Sequence, residues 1–77
     1  MPIAFVLLTV EPGKEEDVLA KLKTIPEVEE AHRVYGVYDT IVKVNSPTPE
    51  KLKDTITWKI RKIENVKSTL TMLVVEQ

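Results

Sequence analysis

Two predicted strands meet in the stretch Val34–Asp39, whose sequence is VYGVYD. The residues before it, from Val28, and those after it, from Thr40 to Val44, are rich in side chains that favour strands. A reversal between two strands needs a residue that tolerates a positive φ angle, and Gly36 is one of only two glycines in the chain. The sequence therefore predicts a hairpin around Gly36, with the carboxylate of Asp39 beside exposed backbone N–H groups.

Outward from this hairpin, strands and helices follow the predicted order β-α-β-β-α-β. The first strand is apolar at both alternating sets of positions, which is typical of a strand covered on both faces. The second helix begins with Thr48 as its N-cap and Pro49 at its first position, and Asn65 ends it in the left-handed conformation. The other predicted boundaries are Ile3–Val10, Lys14–Lys23, Glu29–Tyr35, Thr40–Asn45 and Thr69–Val75.

This order predicts an α+β fold, the ferredoxin-like βαββαβ sandwich, with a four-stranded antiparallel sheet and two helices on one face. The stripe Leu52, Ile56, Ile60 and Ile63 places the second helix against the sheet. The other face of the sheet is then bare, although the first and last strands present apolar side chains to it. Exposing each of these costs about 1.5 to 3 kcal/mol relative to burial. We therefore predict a sheet-to-sheet homodimer.

Composition excludes several classes of function. With 77 residues, the chain is expected to form one domain, residues 1–77, and a core of this size rarely supplies more than about 3 to 5 kcal/mol, which favours oligomerisation. Its net charge of −1 gives no overall attraction for nucleic acid. One histidine and no cysteine exclude a disulfide or a thiolate metal site within one chain, and we expect no cofactor and no metal.

The composition also bears on location and source. The apolar run Ile3–Val10 is too short to span a membrane and follows no basic segment, so we expect a cytoplasmic protein without membrane contact. Lysine and glutamate are abundant, whereas asparagine and glutamine are scarce and cysteine is absent, a bias that fits a thermophilic source.

The element order, the hairpin VYGVYD and the ending IRKIENVKSTLT, residues 60–71, resemble the effector domain of the Lrp/AsnC feast/famine transcription regulators. This RAM domain is named for the regulation of amino-acid metabolism, and the resemblance covers essentially the whole chain. It implies homodimers that associate into rings, often of four dimers, with amino-acid effectors bound between dimers. Full-length members carry a helix-turn-helix ahead of this domain, whereas this sequence begins at the first strand. The resemblance therefore implies a stand-alone domain that does not read DNA and that could modulate full-length regulators.

The resemblance also implies an effector site without catalytic residues. The effector's amino group would contact Asp39, its carboxylate would bind backbone N–H groups near Gly36, and the last strand would supply further contacts. The candidate ligand-binding residues are Gly36, Val37, Tyr38, Asp39, Thr69, Thr71 and Leu73.

Other interpretations remain open at this point. Asp39 could simply bond the backbone of its own turn, the usual role of an aspartate beside a reversal. A small dimeric α+β-barrel enzyme would share this element order and use His32 or Asp39 as a base, in an enclosed apolar cavity within each protomer. No Gly-rich phosphate loop or nucleophile with a spaced base supports catalysis. RNA binding on the open sheet is the weakest alternative, because the basic aromatic motif is missing.

Overall fold

The computed structural model describes residues 2–75 and contains one four-stranded sheet in the order β2-β3-β1-β4. All neighbouring strands pair antiparallel, so the predicted ferredoxin-like arrangement is confirmed. A π-helical segment, Thr55–Ile60, continues the second helix. The bounds are β1 Ile3–Val10, α1 Glu15–Leu22, β2 Val28–Arg33, β3 Thr40–Asn45, α2 Pro49–Asp54 and β4 Val66–Leu73.

The core lies between the helices and one face of the sheet, and strand β1 runs through its middle. Alternate residues of β1 are buried towards the helices, while the residues between them are only half-buried on the other face. Strict alternation in a strand places the two sets on opposite faces. The buried residues that form the core are Ala4, Val6, Leu8, Val10, Val18, Leu22, Ile25, Ala31, Val42, Val44, Leu52, Ile56 and Ile60.

The first and last strands present apolar side chains to the bare face of the sheet, as predicted. Across this face Leu7 pairs with Leu70, and Phe5 pairs with Met72. Leu70 and Met72 remain 44% and 46% exposed. Within residues 2–75, none of the helices combines the length and apolarity that crossing a membrane requires.

Helix α2 begins as predicted but winds differently after one and a half turns. The hydroxyl of Thr48 accepts a hydrogen bond from the Lys51 N–H at 3.1 Å, and Pro49 occupies the first position. The π-helical segment then follows, and the N–H of Arg61 donates to the carbonyl of Ile56 at 2.9 Å, five residues back. The β-branched run at residues 55–57 crowds the preceding turn of a regular helix and so weakens α-helical winding.

Several predicted boundaries are wrong by one to five residues. Helix α1 is one residue shorter at each end than predicted, and the second helix ends at Ile60, although Asn65 does have the predicted left-handed φ of 78°. Strand β2 ends at Arg33 rather than Tyr35.

Strand β4 was predicted as Thr69–Val75 and instead spans Val66–Leu73. It starts earlier because the end of β1 still pairs with it there. Val10 pairs with Val66 beyond a register shift after Thr9, so the ladder extends back to the end of the helix connection.

Replacing Leu8 by alanine should destabilise the fold by about 2 to 5 kcal/mol, because its fully buried side chain packs between sheet and helices. Urea unfolding followed by circular dichroism measures this loss. Val37→Ala is the matched control, since Val37 is 85% exposed and should change stability by less than about 0.5 kcal/mol. Equal losses for the two variants would contradict the assigned core.

Candidate functional site

The connection between β2 and β3, residues 34–39, is a wide loop held at its base. The N–H of Val34 donates to the carbonyl of Asp39 at 2.9 Å, and the N–H of Asp39 donates to the carbonyl of Leu8 at 2.8 Å. Gly36 has a φ of 129°, which side-chain-bearing residues rarely adopt. The predicted positive φ at Gly36 is therefore confirmed, and the loop projects from a fixed base.

The tip of this loop is exposed. Tyr35 is fully exposed and Val37 is 85% exposed, while Tyr38 is half-buried. Within residues 2–75, the backbone N–H groups of residues 35–38 make no hydrogen bond. Four backbone donors of this loop therefore have no partner among the described residues.

The carboxylate of Asp39 already has one structural partner. Its Oδ2 atom accepts a hydrogen bond from the N–H of Val10 at 2.9 Å. The pairing of β1 with β3 ends at Leu8 and Thr40, so Val10 lies beyond it. In the pairing of β1 with β4, Val10 lies directly after the register shift. Asp39 therefore satisfies a backbone donor at the end of the central strand rather than in its own turn. Among the described residues its Oδ1 atom has no hydrogen-bond partner, which leaves one oxygen for a ligand.

The other candidate residues, Thr69, Thr71 and Leu73, lie on the helix side of edge strand β4. Leu8 pairs with Thr40 on one side and with Thr69 on the other, so strand β1 separates Thr69 from the loop by two strand spacings, about 9.6 Å. Leu73 lies four residues further along β4, about 13 Å from Thr69. Within residues 2–75, the two halves of the predicted site therefore lie apart on the sheet.

The β4 half instead lines a groove that sequence reasoning missed. This groove has a volume of about 820 Å³. One wall is β4, and the other is formed by α2 together with the π-helical segment, on the face that carries Lys53, Thr57 and Arg61. In the sequence, Arg61 belongs to the charged run of residues 59–62, which is most simply interpreted as a solvated helix face. The available signal was the spacing of four residues between Lys53 and Thr57 and between Thr57 and Arg61, because residues four apart lie on neighbouring positions of a helix surface.

His32, the histidine of the enzyme alternative, lies far from this groove. It is on β2, at the opposite edge of the sheet, and pairs with Ile41, so it faces the bare side. Its Nε2 atom lies 3.2 Å from the Glu30 carboxylate, and the side chain is exposed. Neither His32 nor Asp39 lines the groove. Among residues 2–75, no group of acids and histidines could hold a metal ion.

The resolved shifts in pKa concern two carboxylates near the start of β2. Lys59 of the π-helical segment donates to both oxygens of Glu27, at 3.1 and 3.2 Å, and these bonds lower the pKa of the Glu27 carboxyl. Hydrogen bonds from Asn45 and then from Lys43 lower the pKa of Glu29. The contact between Glu27 and Lys59 ties the π-helical segment to the loop before β2.

The topology places the chain among the small ferredoxin-like α+β domains. The sequence model of the family described as the Lrp/AsnC ligand binding domain matches residues 3–77, and the chain belongs to this family. The HTH-type transcriptional regulator FL11 of Pyrococcus furiosus is 35% identical over 74 residues, which are 96% of this chain and 48% of FL11. The chain thus spans about half the length of such relatives. The source of this relative, Pyrococcus furiosus, is consistent with the thermophilic bias in the composition of the chain.

A solved structure is similar over its whole length. The crystal structure of FFRP-DM1 has a TM-score of 0.94 and 47% identity, over 97% of this chain and 100% of that one. An enzyme also appears among the relatives. The homocitrate synthase of Sulfurisphaera tokodaii is 40% identical over 60 residues, which are 78% of this chain but 13% of the enzyme. The similarity therefore concerns a small part of that enzyme, and the family description is that of a ligand-binding domain.

Replacing Asp39 by alanine should destabilise the fold by about 1 to 2 kcal/mol, because the Val10 N–H loses its partner. Asp39→Asn keeps an oxygen acceptor and should lose less than half as much. Urea unfolding of both variants checks this, with the exposed Glu64→Ala as control. Equal losses for the two Asp39 variants would instead mean that the negative charge, not the bond to Val10, stabilises the fold.

Proposed function

We propose that this chain is a single, non-catalytic sensing and assembly domain that binds an amino acid and couples its concentration to oligomerisation. Acting in the cytoplasm, it would modulate full-length regulators of the Lrp/AsnC family by co-assembly. The observation that carries this proposal is the pairing, in one exposed loop, of free backbone N–H groups with a free carboxylate oxygen of Asp39.

This pairing suits a zwitterion. The effector's carboxylate would accept hydrogen bonds from the N–H groups of residues 35–38, and its ammonium would contact Oδ1 of Asp39. Hydrogen bonds with one ionised partner are about twice as strong as neutral ones. Because Oδ2 stays on the Val10 N–H, the carboxylate is oriented before the ligand arrives. Gly36 allows the conformation that exposes these donors.

A second protomer would cover the bare face of the sheet. Six apolar side chains lie on that face, all of them half-buried or exposed in the isolated chain. Two such faces packed at the usual spacing of about 10 Å would bury them together. Glu30 of edge strand β2 and Lys43 of β3 pair on the same face, with 4.0 Å between their charged groups, so this ion pair would also lie against the second sheet. The apolar set is Ile3, Phe5, Leu7, Ile41, Leu70 and Met72.

Assembly beyond the dimer would complete the effector site. The loop and the β4 residues Thr69, Thr71 and Leu73 are separated within one protomer, so a neighbouring dimer is needed to bring one set against the other. A ligand held between dimers would stabilise the ring by mass action, because it binds the assembled form only. Rings that include full-length regulators would then report amino-acid concentration to transcription.

Leu7→Glu should convert the dimer into monomers of 8.8 kDa, because the new carboxylate would be buried between the sheets. Light scattering coupled to size exclusion measures the mass. Ala20→Glu adds the same charge on the exposed side of α1 and should leave the dimer intact. A wild-type monomer, or a dimeric Leu7→Glu variant, would show that the bare face is not the interface.

Adding each of the twenty amino acids in turn should shift the wild-type mass from dimer to a larger ring for the effector and its close analogues. Asp39→Asn should weaken the binding of that effector by at least about tenfold, because the ammonium loses a charged partner. Calorimetric titration measures the affinity, and Asp17→Asn, which removes an exposed acid on α1, is the matched control. Unchanged affinity in Asp39→Asn would refute the role of the carboxylate.

A further inference from the structure

The groove between β4 and the second helix contains a row of residues that the π-helical segment keeps in line. Pro49, Lys53, Thr57 and Arg61 all line it, at every fourth position. In a regular α-helix each such step rotates a side chain by about 40°, so Arg61 would turn well away from Pro49. The hydrogen bonds of a π-helix span five residues and widen the turn, which reduces this rotation. The altered winding therefore directs Arg61 to the groove.

A π-helical segment is itself an informative feature. Such segments are rare and occur frequently at functional sites. This one contributes Ile56 and Thr57 to the groove, and the backbone N–H of Arg61 closes its last hydrogen bond at Ile56. The opposite side of the segment is fixed by the bonds of Lys59 to Glu27. An unusual helix geometry and a cavity thus coincide at the same residues.

The chemistry of the lining favours an anion with a hydrocarbon body. Leu52, Ile56 and Leu73 supply apolar walls, and Thr57, Thr69 and Thr71 add hydroxyl groups. The charged residues among the described lining are Lys53 and Arg61, and no acid is among them. A volume of about 820 Å³ lies within the range of small-molecule sites, which are mostly apolar with a few placed polar groups.

The two cations of the groove are available to a ligand. Within residues 2–75, Lys53 and Arg61 form no ion pair, whereas Arg33, Lys43 and Lys59 each contact a carboxylate. Arg61 is the better carboxylate partner, because its planar guanidinium can donate two parallel hydrogen bonds. Lys53 can lay its hydrocarbon stem along the apolar wall and keep its ammonium in solvent.

We propose that this groove binds an aliphatic carboxylate, with the hydrocarbon chain against Leu52, Ile56 and Leu73 and the carboxylate on Arg61. Within residues 2–75 the lining offers no acid to an ammonium group, so we expect a free amino acid to be a poorer ligand than a simple carboxylate of the same length. The groove shares its β4 wall with the proposed amino-acid site, but it is complete within one protomer and needs no assembly. The proposal therefore does not rest on amino-acid binding.

Three probes of equal chain length separate the contributions of charge and hydrocarbon: octanoate, 1-octanol and octylammonium. Calorimetric titration should show octanoate binding at one site per chain, about tenfold more tightly than 1-octanol, with octylammonium weaker still. Methyl chemical shifts of Leu52, Ile56 and Leu73 should move on adding octanoate, which locates the ligand. The proposal would be overturned if octylammonium bound as tightly as octanoate, or if octanoate did not bind at about 10 mM. It would also be overturned if octanoate moved methyl chemical shifts elsewhere in the protein and not those of the groove.

Variants test the role of Arg61 directly. Arg61→Gln should weaken the binding of octanoate about tenfold and leave the affinity for 1-octanol unchanged. Arg61→Lys keeps the positive charge but not the planar guanidinium, so its affinity for octanoate should lie between those of the wild type and Arg61→Gln. Arg33→Gln, on the far strand β2, is the matched control and should bind octanoate normally. Octanoate binding that survives Arg61→Gln unchanged would refute the assignment.

Asp39→Asn distinguishes this site from the amino-acid site. Octanoate should bind this variant as it binds the wild type, because Asp39 does not line the groove. Loss of octanoate binding in Asp39→Asn would place the carboxylate at the loop and refute the groove site. Failure of every amino acid to bind, with octanoate binding intact, would refute the proposed sensing function and leave the groove site standing.

Discussion

The rest of the structure depends on one constraint, the apolar character of strand β1 on both of its faces. The side chains at alternate positions of β1 pack against the helices in the core. The side chains at the positions between them point to the other face of the sheet, which the helices do not cover. Two helices can cover only one face of a four-stranded sheet. Packing of the first set stabilises the fold, and the second set leaves the chain with a face that water solvates poorly. The same eight residues therefore determine the core and supply part of the surface at which we propose that the chain associates.

The end of this strand also organises the exposed loop. Asp39 is joined to β1 twice, through its own N–H to Leu8 and through its carboxylate to Val10. The carboxylate that we propose to bind a ligand is thereby fixed to strand β1, whereas residues 35–37 at the loop tip are exposed. For the proposed function, such a fixed anchor beside an accessible tip would reduce the entropy lost when a ligand orders the site. Structural and binding roles for Asp39 are therefore compatible, because each uses a different oxygen.

The sequence predicts the fold well because its strongest signals are local. The apolar run Ile3–Val10, the cap at Thr48 and Asn65 each act within a few residues, and the strand, the cap and the left-handed φ are all confirmed. The predicted end of β2 at Tyr35 is wrong, because Tyr35 has strand propensity but no neighbouring strand to pack against. The strand propensity of a residue reflects how its side chain packs on a sheet, and a side chain beyond the last paired residue of the strand gains no such packing.

The candidate site is less predictable, because it depends on distances between segments. Nothing near Asp39 in the sequence indicates that Val10, 29 positions away, lacks a backbone partner. The groove was missed for a similar reason. Arg61 belongs to a charged run that is typical of a solvated helix face, and its position beside the groove is evident only once β4 is placed opposite it. The π-helical winding adds to this difficulty, since patterns of apolar residues assume 3.6 residues per turn.

The same winding has a consequence for how related sequences can diverge. A π turn accommodates one extra residue within a helix without ending it, and removing that residue would restore regular α-helical geometry. Because the wide turn absorbs the extra residue, the side chains beyond the deletion would keep their orientation relative to the first half of the helix. The buried contacts of Leu52 and the position of Arg61 beside the groove would both be retained. The length of this helix can therefore change by one residue in related sequences without a rearrangement of either half.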